Sequence, residues 1–453
     1  MTKILIYNWS RLEKSNPSGG VSIYTKNLIS ELIRNPRNHV FYLNSGYSYT
    51  FNKHPFIKRV PNIFDDKIES FEIVNSPVIA PAQQSIKNTE LFLRDQSLYF
   101  LLKNWLHAIG GVDIIHFQNI EGLSLSVLNL KKDYPNTKFI YSLHNYYPIC
   151  PAVNLWAQNH NCHKTDYNEC VHCFRRRNYT TTKFFRAFSN SNISEAINYY
   201  LFRNFIHKND RETYQLFFEK TRDYFKNIDV ILAVSNKVKD IFVKNGYDQN
   251  KITTSYIGTR IAEKSLQHSN ADIYSAPFKI IFMGYMNEAK GFNFFLNSLS
   301  IIPKDISKNI HVTICAKHST ISNKNELSQI KELKQYFHSI DLFNGYDSSN
   351  QAKYLQGQHL GIVPVLWEDN LPQVLIEQIA YGVPVLCSSL GGGKEIVNNP
   401  DFIFEAGNGN DFTNKLLSIY SDRTKLGTFW KNVKKLTTLE EHVNFLNTIY
   451  YSK

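Results

Sequence analysis

Two carboxylates eight positions apart, Asp369 and Glu377, bracket the most chemically suggestive run of the chain, Glu368-Asp369-Asn370-Leu371-Pro372-Gln373-Val374-Leu375-Ile376-Glu377. The run reads as an acidic loop with a proline, then the start of a helix. Helical neighbours recur every three or four residues, so Glu377, about two turns further on, can face the same space as the loop. The spacing suits two acids holding different parts of one polyol ligand. Ala380-Tyr381-Gly382-Val383-Pro384-Val385-Leu386 continues as a glycine turn and a buried strand. Gly391-Gly392-Gly393-Lys394-Glu395 adds a second glycine-rich turn carrying an acid. Together they suggest a site for a nucleotide-linked sugar.

Two further glycine segments can meet phosphate. Gly19-Gly20 lies between an expected strand over residues 3–7 and an expected helix over 21–33. Glycine lets the backbone approach a ligand, and a helix start offers free N–H groups and partial positive charge to an anion. Helix-entry loops also carry glycine for purely local reasons. Gly284-Tyr285-Met286-Asn287-Glu288-Ala289-Lys290-Gly291 follows another expected strand and places an ammonium where a helix begins. A surface lysine in a turn is the bland alternative. The G-x-G-x-x-G fingerprint is absent, which argues against a dinucleotide enzyme.

Four of the six cysteines, Cys150, Cys162, Cys170 and Cys173, fall close together, the last two as a C-x2-C knuckle. In a cytoplasmic setting four soft ligands favour structural zinc over disulfides, with His160, His163 and His172 as alternative ligands. Reduced thiols in a loop are the alternative. Cys315 and Cys387 lie in apolar runs and read as core residues.

The elements that must position these groups alternate strand and helix along most of the 453 residues. Expected strands at 3–7, 40–43, 112–117 and 138–143, the last ending at His144, give the rhythm of a doubly wound parallel sheet. The rhythm restarts with strands at 230–234, 279–283, 311–316, 360–365 and 383–387. The expected layout is α/β: two Rossmann-like domains facing across a cleft. Residues 1–225 form the first, with a Cys-rich loop at 150–173 and a basic, aromatic helical insertion at 174–225. Residues 226–430 form the second, and 431–453 a helical tail.

The net charge of +12 favours anionic partners. Residues 174–208 concentrate Arg175, Arg176, Arg177, Lys183, Arg186, Arg203 and Lys208 among phenylalanines and tyrosines, with Glu195 as the single acid. Such a stretch suits an anionic membrane surface, or packs on its own domain with its cations solvated. No apolar run is long enough to span a bilayer, and the first residues lack a secretory pattern. The expected location is cytoplasmic, peripheral at the inner face of the membrane. A zinc-containing nucleic-acid-binding protein is the rival reading. It leaves residues 369–395 without a role, so no nucleic-acid partner is expected.

In this order and spacing the motifs resemble the retaining glycosyltransferases of family 4, with the GT-B fold. The resemblance is carried by Gly19-Gly20-Val21, Asp113-Ile114-Ile115-His116, His144-Asn145, Val234-Ser235, Ile257-Gly258-Thr259, Gly284 to Gly291, the Asp369-to-Glu377 block with its continuation, and Gly391-Gly392-x-x-Glu395. It implies transfer of a hexose from a nucleotide sugar, with retention, to a lipid-linked saccharide or cell-surface polysaccharide. Glu377 then binds the ribose hydroxyls, and Asp369, or Glu368 beside it, holds the sugar. The backbone at Asn370-Leu371-Pro372 lines the sugar and diphosphate. Lys290 neutralises the diphosphate, Gly20 lets it approach, and His144 faces the donor sugar. No metal or other cofactor is required for the reaction. Tyr285 stands where the family often has arginine, so a non-catalytic homologue acting as a partner subunit is an alternative. His116 reads as structural.

Overall fold

The protein is described by a computed structural model that covers residues 1–13, 19–51, 54–81, 89–157, 160–162, 170, 210–264, 272–347 and 349–452. The basic aromatic stretch 174–208 and Cys173 lie outside the described residues. The chain divides into two compact units, Met1–Gln158 with Cys162–Ile257 and Leu439–Lys453, and Asn159–Asn161 with Gly258–Thr438. Each is a Rossmann-like α/β domain, and the fold is GT-B.

In the first unit the strands β1 (Thr2–Tyr7), β2 (Asn38–Ser45), β3 (Phe56–Arg59), β4 (Glu69–Val74), β5 (Ile114–Phe117) and β6 (Lys138–Leu143) come in sequence. Two-residue strands β7 (Trp156–Ala157) and β8 (His160–Asn161) follow, then β9 (Val230–Ala233) and β10 (Ile252–Thr254). The main sheet runs β10-β9-β6-β5-β1-β2-β4-β3. All its pairings are parallel except β3 with β4. Ile4, Ile6, Ile140 and Leu143 are fully buried, as expected of parallel strands covered on both faces.

The second unit contains β11 (Phe278–Tyr285), β12 (Ile310–Lys317), β13 (Ser339–Phe343), β14 (Leu360–Val363), β15 (Val385–Ser388) and β16 (Ile403–Phe404). They form one parallel sheet in the order β13-β12-β11-β14-β15-β16.

The structure moves the expected domain boundary. β9 pairs with β6, Val230 opposite Ile140, and β10 pairs with β9. Residues 226–257 therefore complete the first sheet instead of opening the second. A short apolar strand followed by a serine-capped helix reads the same in either sheet, and only its hydrogen-bonding partner decides. The expected tail at 431–453 is also divided, because its helix Leu439–Tyr450 buries Leu439, His442, Val443, Leu446 and Tyr450 in the first unit. Tyr24 on the helix Gly20–Leu32 donates or accepts a hydrogen bond at 2.7 Å with His442. Among the described residues no helix is long and apolar enough to cross a membrane.

Candidate functional site

From β11 the second sheet grows one way through β12 and β13, and the other way through β14, β15 and β16. Loops leaving two such middle strands diverge, which opens a crevice at their carboxyl ends where ligands bind in this class of sheet. The two loops here carry Lys290 and Asp369. Lys290 Nζ donates to Asp369 Oδ2 at 2.6 Å and lies 5.2 Å from the centre of the Trp367 ring. The lysine side chain is 29% exposed and the aspartate 9%.

Backbone contacts hold the two loops together. Leu366 N–H donates to Ala289 O across them at 2.9 Å, and within its own loop Lys290 N–H donates to the Asn287 side-chain Oδ1 at 2.8 Å. Gly291, at φ +72°, precedes the helix Phe292–Ile301. A Cβ there would stand 1.7 Å from Pro364 O. The Lys290 loop reaches the Asp369 loop this closely only because residue 291 is glycine. Gly284 is the penultimate residue of β11, which the exposed Tyr285 closes.

The second glycine turn clamps the acids from the other side. Gly391 N–H donates to Glu368 Oε2 at 2.7 Å, and Gly392 N–H to Asp369 O at 2.9 Å. Gly391 has φ +70°, and a Cβ on it would lie 2.1 Å from Asp369 O. Glu368, Asp369, Asn370, Leu371 and Pro372 are all buried, and Glu395 is half-buried on the short helix Gly393–Val397. Pro372 immediately precedes the helix Gln373–Ala380, whose Leu375, Ile376 and Ile379 are buried. The helix ends in a Schellman motif, with Val383 N–H on Gln378 O and Gly382 N–H on Ile379 O, both at 2.9 Å.

Glu377 is half-buried on that helix. The Tyr346 hydroxyl donates to its Oε2 at 3.0 Å. Burial pushes the Glu377 carboxyl up to about 7, against the opposite pull of the Tyr346 hydrogen bond. The acid is thus available in both charge states near neutrality.

In the first unit the direction changes between β1 and β5, and polar residues again gather after the middle strands. Asn119 Nδ2 donates to Asn8 Oδ1 at 2.7 Å, and Asn8 Nδ2 to Thr25 Oγ1 at 3.1 Å. Ser10 and Ser22 hydroxyls lie 2.6 Å apart. These bonds fix the helix Gly20–Leu32, whose N-terminus has no side-chain cap. Gly19 and Gly20 are exposed. A Cβ on Gly19 would meet nothing, so packing alone does not demand glycine there.

His144 follows β6. Its Nε2 lies 2.9 Å from Gln118 Oε1, and its ring centre is 4.5 Å from that of Tyr24. Asn145 donates to Glu121 Oε1 at 2.9 Å. Burial, with His442 nearby, pushes His144 down to about 3, so its ring is neutral. His116 is fully buried between Ser142 Oγ and Tyr450 Oη, at 2.8 and 2.7 Å. It is a structural residue.

Cys150, Cys162 and Cys170 are half-buried. Among the described residues no three metal-ligating groups gather, and the fourth expected ligand, Cys173, lies outside them. The loop that carries these cysteines also contributes to the second unit, where Asn161 Nδ2 donates to Leu366 O at 2.6 Å. Burial raises the thiols of Cys315 and Cys387 to about 12, which makes them inert core groups.

The residues that sequence reasoning passed over are Tyr346, Trp367, Asn287 and Gln118. Gln118 had a signal, a polar residue directly after a strand. Asn287 stands within the Lys290 motif and bonds locally to the Lys290 N–H, whereas Tyr346 and Trp367 touch Glu377 and Lys290 only through the fold.

Two switch-point crevices on two Rossmann-like domains, one lined by paired acids, a lysine and glycine turns, define a glycosyltransferase of the GT-B class. The family model for glycosyltransferase family 4 matches residues 18–262, and that for glycosyl transferases group 1 matches residues 277–422. The chain belongs to this family. No curated protein matches it. Among solved structures it is similar to sucrose-phosphate synthase from Thermosynechococcus elongatus, at 12% identity and TM-score 0.63, over 99% of this chain and 98% of that one. It is also similar to Anabaena HepE in complex with UDP and glucose, at 14% identity and TM-score 0.60 over 100% of both chains. A glycosyltransferase from Rickettsia africae is similar at 16% identity and TM-score 0.60, over 99% of this chain and 97% of that one. At such identities the likeness is one of fold.

Proposed function

We propose that the protein transfers a hexose from a nucleoside-diphosphate sugar to a hydroxyl of a glycan acceptor, with retention at the anomeric carbon. The observation that carries this reading is the Lys290–Asp369 pair at the switch point of the second sheet, on the same loop-and-helix unit as Glu377. Departure of a nucleoside diphosphate develops negative charge, and a preorganised cation stabilises it. Lys290 is that cation once the ligand draws it from Asp369. Asp369 then receives hydroxyls of the sugar. Glu368, 1% exposed and engaged with the Gly391 N–H, braces the loop, which leaves the sugar to Asp369. Glu377 accepts from the ribose hydroxyls. The backbone of Asn370, Leu371 and Pro372 lines the sugar and diphosphate, with Gly284, Gly392 and Glu395 bordering them.

In the first unit, the family positions of Gly19-Gly20 and His144 assign them to the diphosphate and the donor sugar. The bond from the anomeric carbon to the phosphate oxygen breaks as the acceptor oxygen bonds to that carbon from the same face. The acceptor proton passes to the departing phosphate.

UDP is the first nucleotide to test, because HepE is known in complex with UDP and glucose. The acceptor class proposed is a lipid-linked saccharide or cell-surface polysaccharide, supported by the basic aromatic composition of residues 174–208. The same composition supports peripheral contact with an anionic membrane. The test incubates the protein with UDP-, GDP- and ADP-hexoses against lipid-linked, polymeric and sugar-phosphate acceptors. Nucleotide release and the anomeric configuration of the product are followed by NMR. An α-linked product from an α-linked donor is expected. An inverted product removes retention, and transfer only to sugar phosphates replaces the acceptor class.

A further inference from the structure

The Tyr346 hydroxyl is the polar partner of Glu377 among the described residues, donating to Oε2 at 3.0 Å. It reaches Glu377 from an element that no motif marks, 31 positions earlier in the chain. The ring packs against the core formed by Ile281, Met283, Cys315, Leu355 and Val383. The loop that carries it is fixed on both sides, with Asp347 N–H donating to Asn350 Oδ1 at 2.8 Å just after it. Asn344 Oδ1 accepts from His318 N–H at 3.0 Å, and Gly345 N–H donates to Phe343 O at 2.9 Å. The hydroxyl is therefore held in place before any ligand arrives.

We propose that Tyr346 is a positioning residue for the nucleotide site, holding one oxygen of the Glu377 carboxylate so that the other is turned to the ribose hydroxyls. This rests on the reading of Glu377 as the ribose-binding acid. A carboxylate accepts several hydrogen bonds at once. With Oε2 held by a rigid donor, the carboxylate plane is set, and less rotamer freedom is lost on binding.

The hydrogen bond also favours the charged form of an acid that burial drives towards the neutral one. Burial and the neighbouring Glu377, Tyr285 and Cys315 raise the Tyr346 phenol above its ordinary value, so it remains a donor. The other ionisable groups on described side chains of elements packed against the Glu377 helix are Arg260 and Glu263 on the helix Arg260–Lys264 and Cys387 on β15. Among the described residues none makes an ion pair with Glu377. The tyrosine is what opposes its protonation.

The test compares wild type, Tyr346→Phe and Glu377→Ala in calorimetric titrations with UDP, GDP and ADP and with their 2′,3′-dideoxy analogues, from about pH 6 to 8. Wild type is expected to bind at least one diphosphate, and to bind it more tightly than its dideoxy analogue. Tyr346→Phe is expected to lose about three- to tenfold in affinity for the hydroxylated nucleotide at neutral pH. It should leave the dideoxy affinity unchanged and move the pH midpoint of binding upward. A purely structural role would lower the melting temperature and leave the midpoint in place, which overturns the proposal.

If Glu377→Ala binds as wild type does, the ribose reading itself fails. If Glu377→Ala weakens binding and Tyr346→Phe leaves both midpoint and discrimination intact, only the role of Tyr346 falls. Should Tyr346→Phe not fold, the wild type decides. Its preference for the hydroxylated nucleotide must grow with pH through about 7, and a preference independent of pH overturns the proposal.

Discussion

Lys290 and Asp369 lie 79 positions apart in the chain, yet Lys290 Nζ stands 2.6 Å from Asp369 Oδ2. Each follows one of the two strands between which the second sheet reverses its direction of growth. The pair joins a cation suited to a diphosphate with an acid suited to a sugar. In the free protein each satisfies the other.

Removing one partner separates stability from binding. Lys290→Ala leaves Asp369, 9% exposed, without its cation and should destabilise the second unit by about 1–2 kcal/mol, less than a fully buried pair would lose. Nucleoside-diphosphate affinity should fall about 10- to 100-fold, since hydrogen bonds to charged groups contribute about 1.5–3 kcal/mol. Adding Asp369→Asn should restore the thermal stability and leave the affinity low. Thermal melts and calorimetric titration of the single and double variants check both; unchanged affinity in Lys290→Ala removes it from the diphosphate site.

Gly291 and Gly391 hold the two loops against each other from opposite sides. Gly291→Ala places a Cβ 1.7 Å from Pro364 O, and Gly391→Ala places one 2.1 Å from Asp369 O, each at positive φ. The left-handed backbone alone costs a non-glycine residue roughly 1–2 kcal/mol, and backbone atoms cannot yield as side-chain ends do. Each variant should lose at least about 2 kcal/mol in denaturant titration and bind nucleotide poorly. Wild-type melting and affinity in either variant would contradict the loop packing.

Glu377 sets stability against function. Its folded carboxyl is raised to about 7 from an ordinary 4.5. The folded state therefore binds the proton more tightly than the unfolded one, and stability declines as pH rises from about 4.5 through 7. Glu377→Gln removes that decline and should stabilise the protein by about 1–3 kcal/mol near pH 8, while weakening nucleotide binding. Melting temperatures of the two proteins at pH 5 and 8 test the sign, and a destabilised glutamine variant at pH 8 would reverse it.

Three histidines of the first unit titrate in the opposite sense. Burial, with the other two histidines nearby, holds His116 well below its ordinary value of 6.5. Burial likewise lowers His144 to about 3 and His442 to about 4. Unfolded, each takes up a proton near pH 6.5. Their contribution is present above that pH and is lost as pH falls towards 4. Denaturant midpoints of the first unit should fall steadily between pH 7 and 5, and His442→Gln should flatten the decline. A flat wild-type profile would mean these rings are not held neutral.

The legible part of the protein is whatever a short stretch of chain decides locally. Alternating strands and helices gave the two-domain α/β class. The acidic loop, proline and helix of residues 368–377 kept their local relation, because loop, helix start and Schellman ending are all set by neighbouring residues. The domain boundary was not legible, since β9 and β10 carry no mark of which sheet they join.

By itself, then, the sequence determined the family, the periodicity and the set of acids, lysine and glycines. Tertiary structure decided which of them meet. Lys290 reaches Asp369 because two strands distant in sequence are adjacent in the sheet. Tyr346 reaches Glu377 because the loop after β13 packs on the core beside the helix Gln373–Ala380. Hydrogen bonds between residues so far apart follow from strand order and side-chain packing, and neither has a local signature.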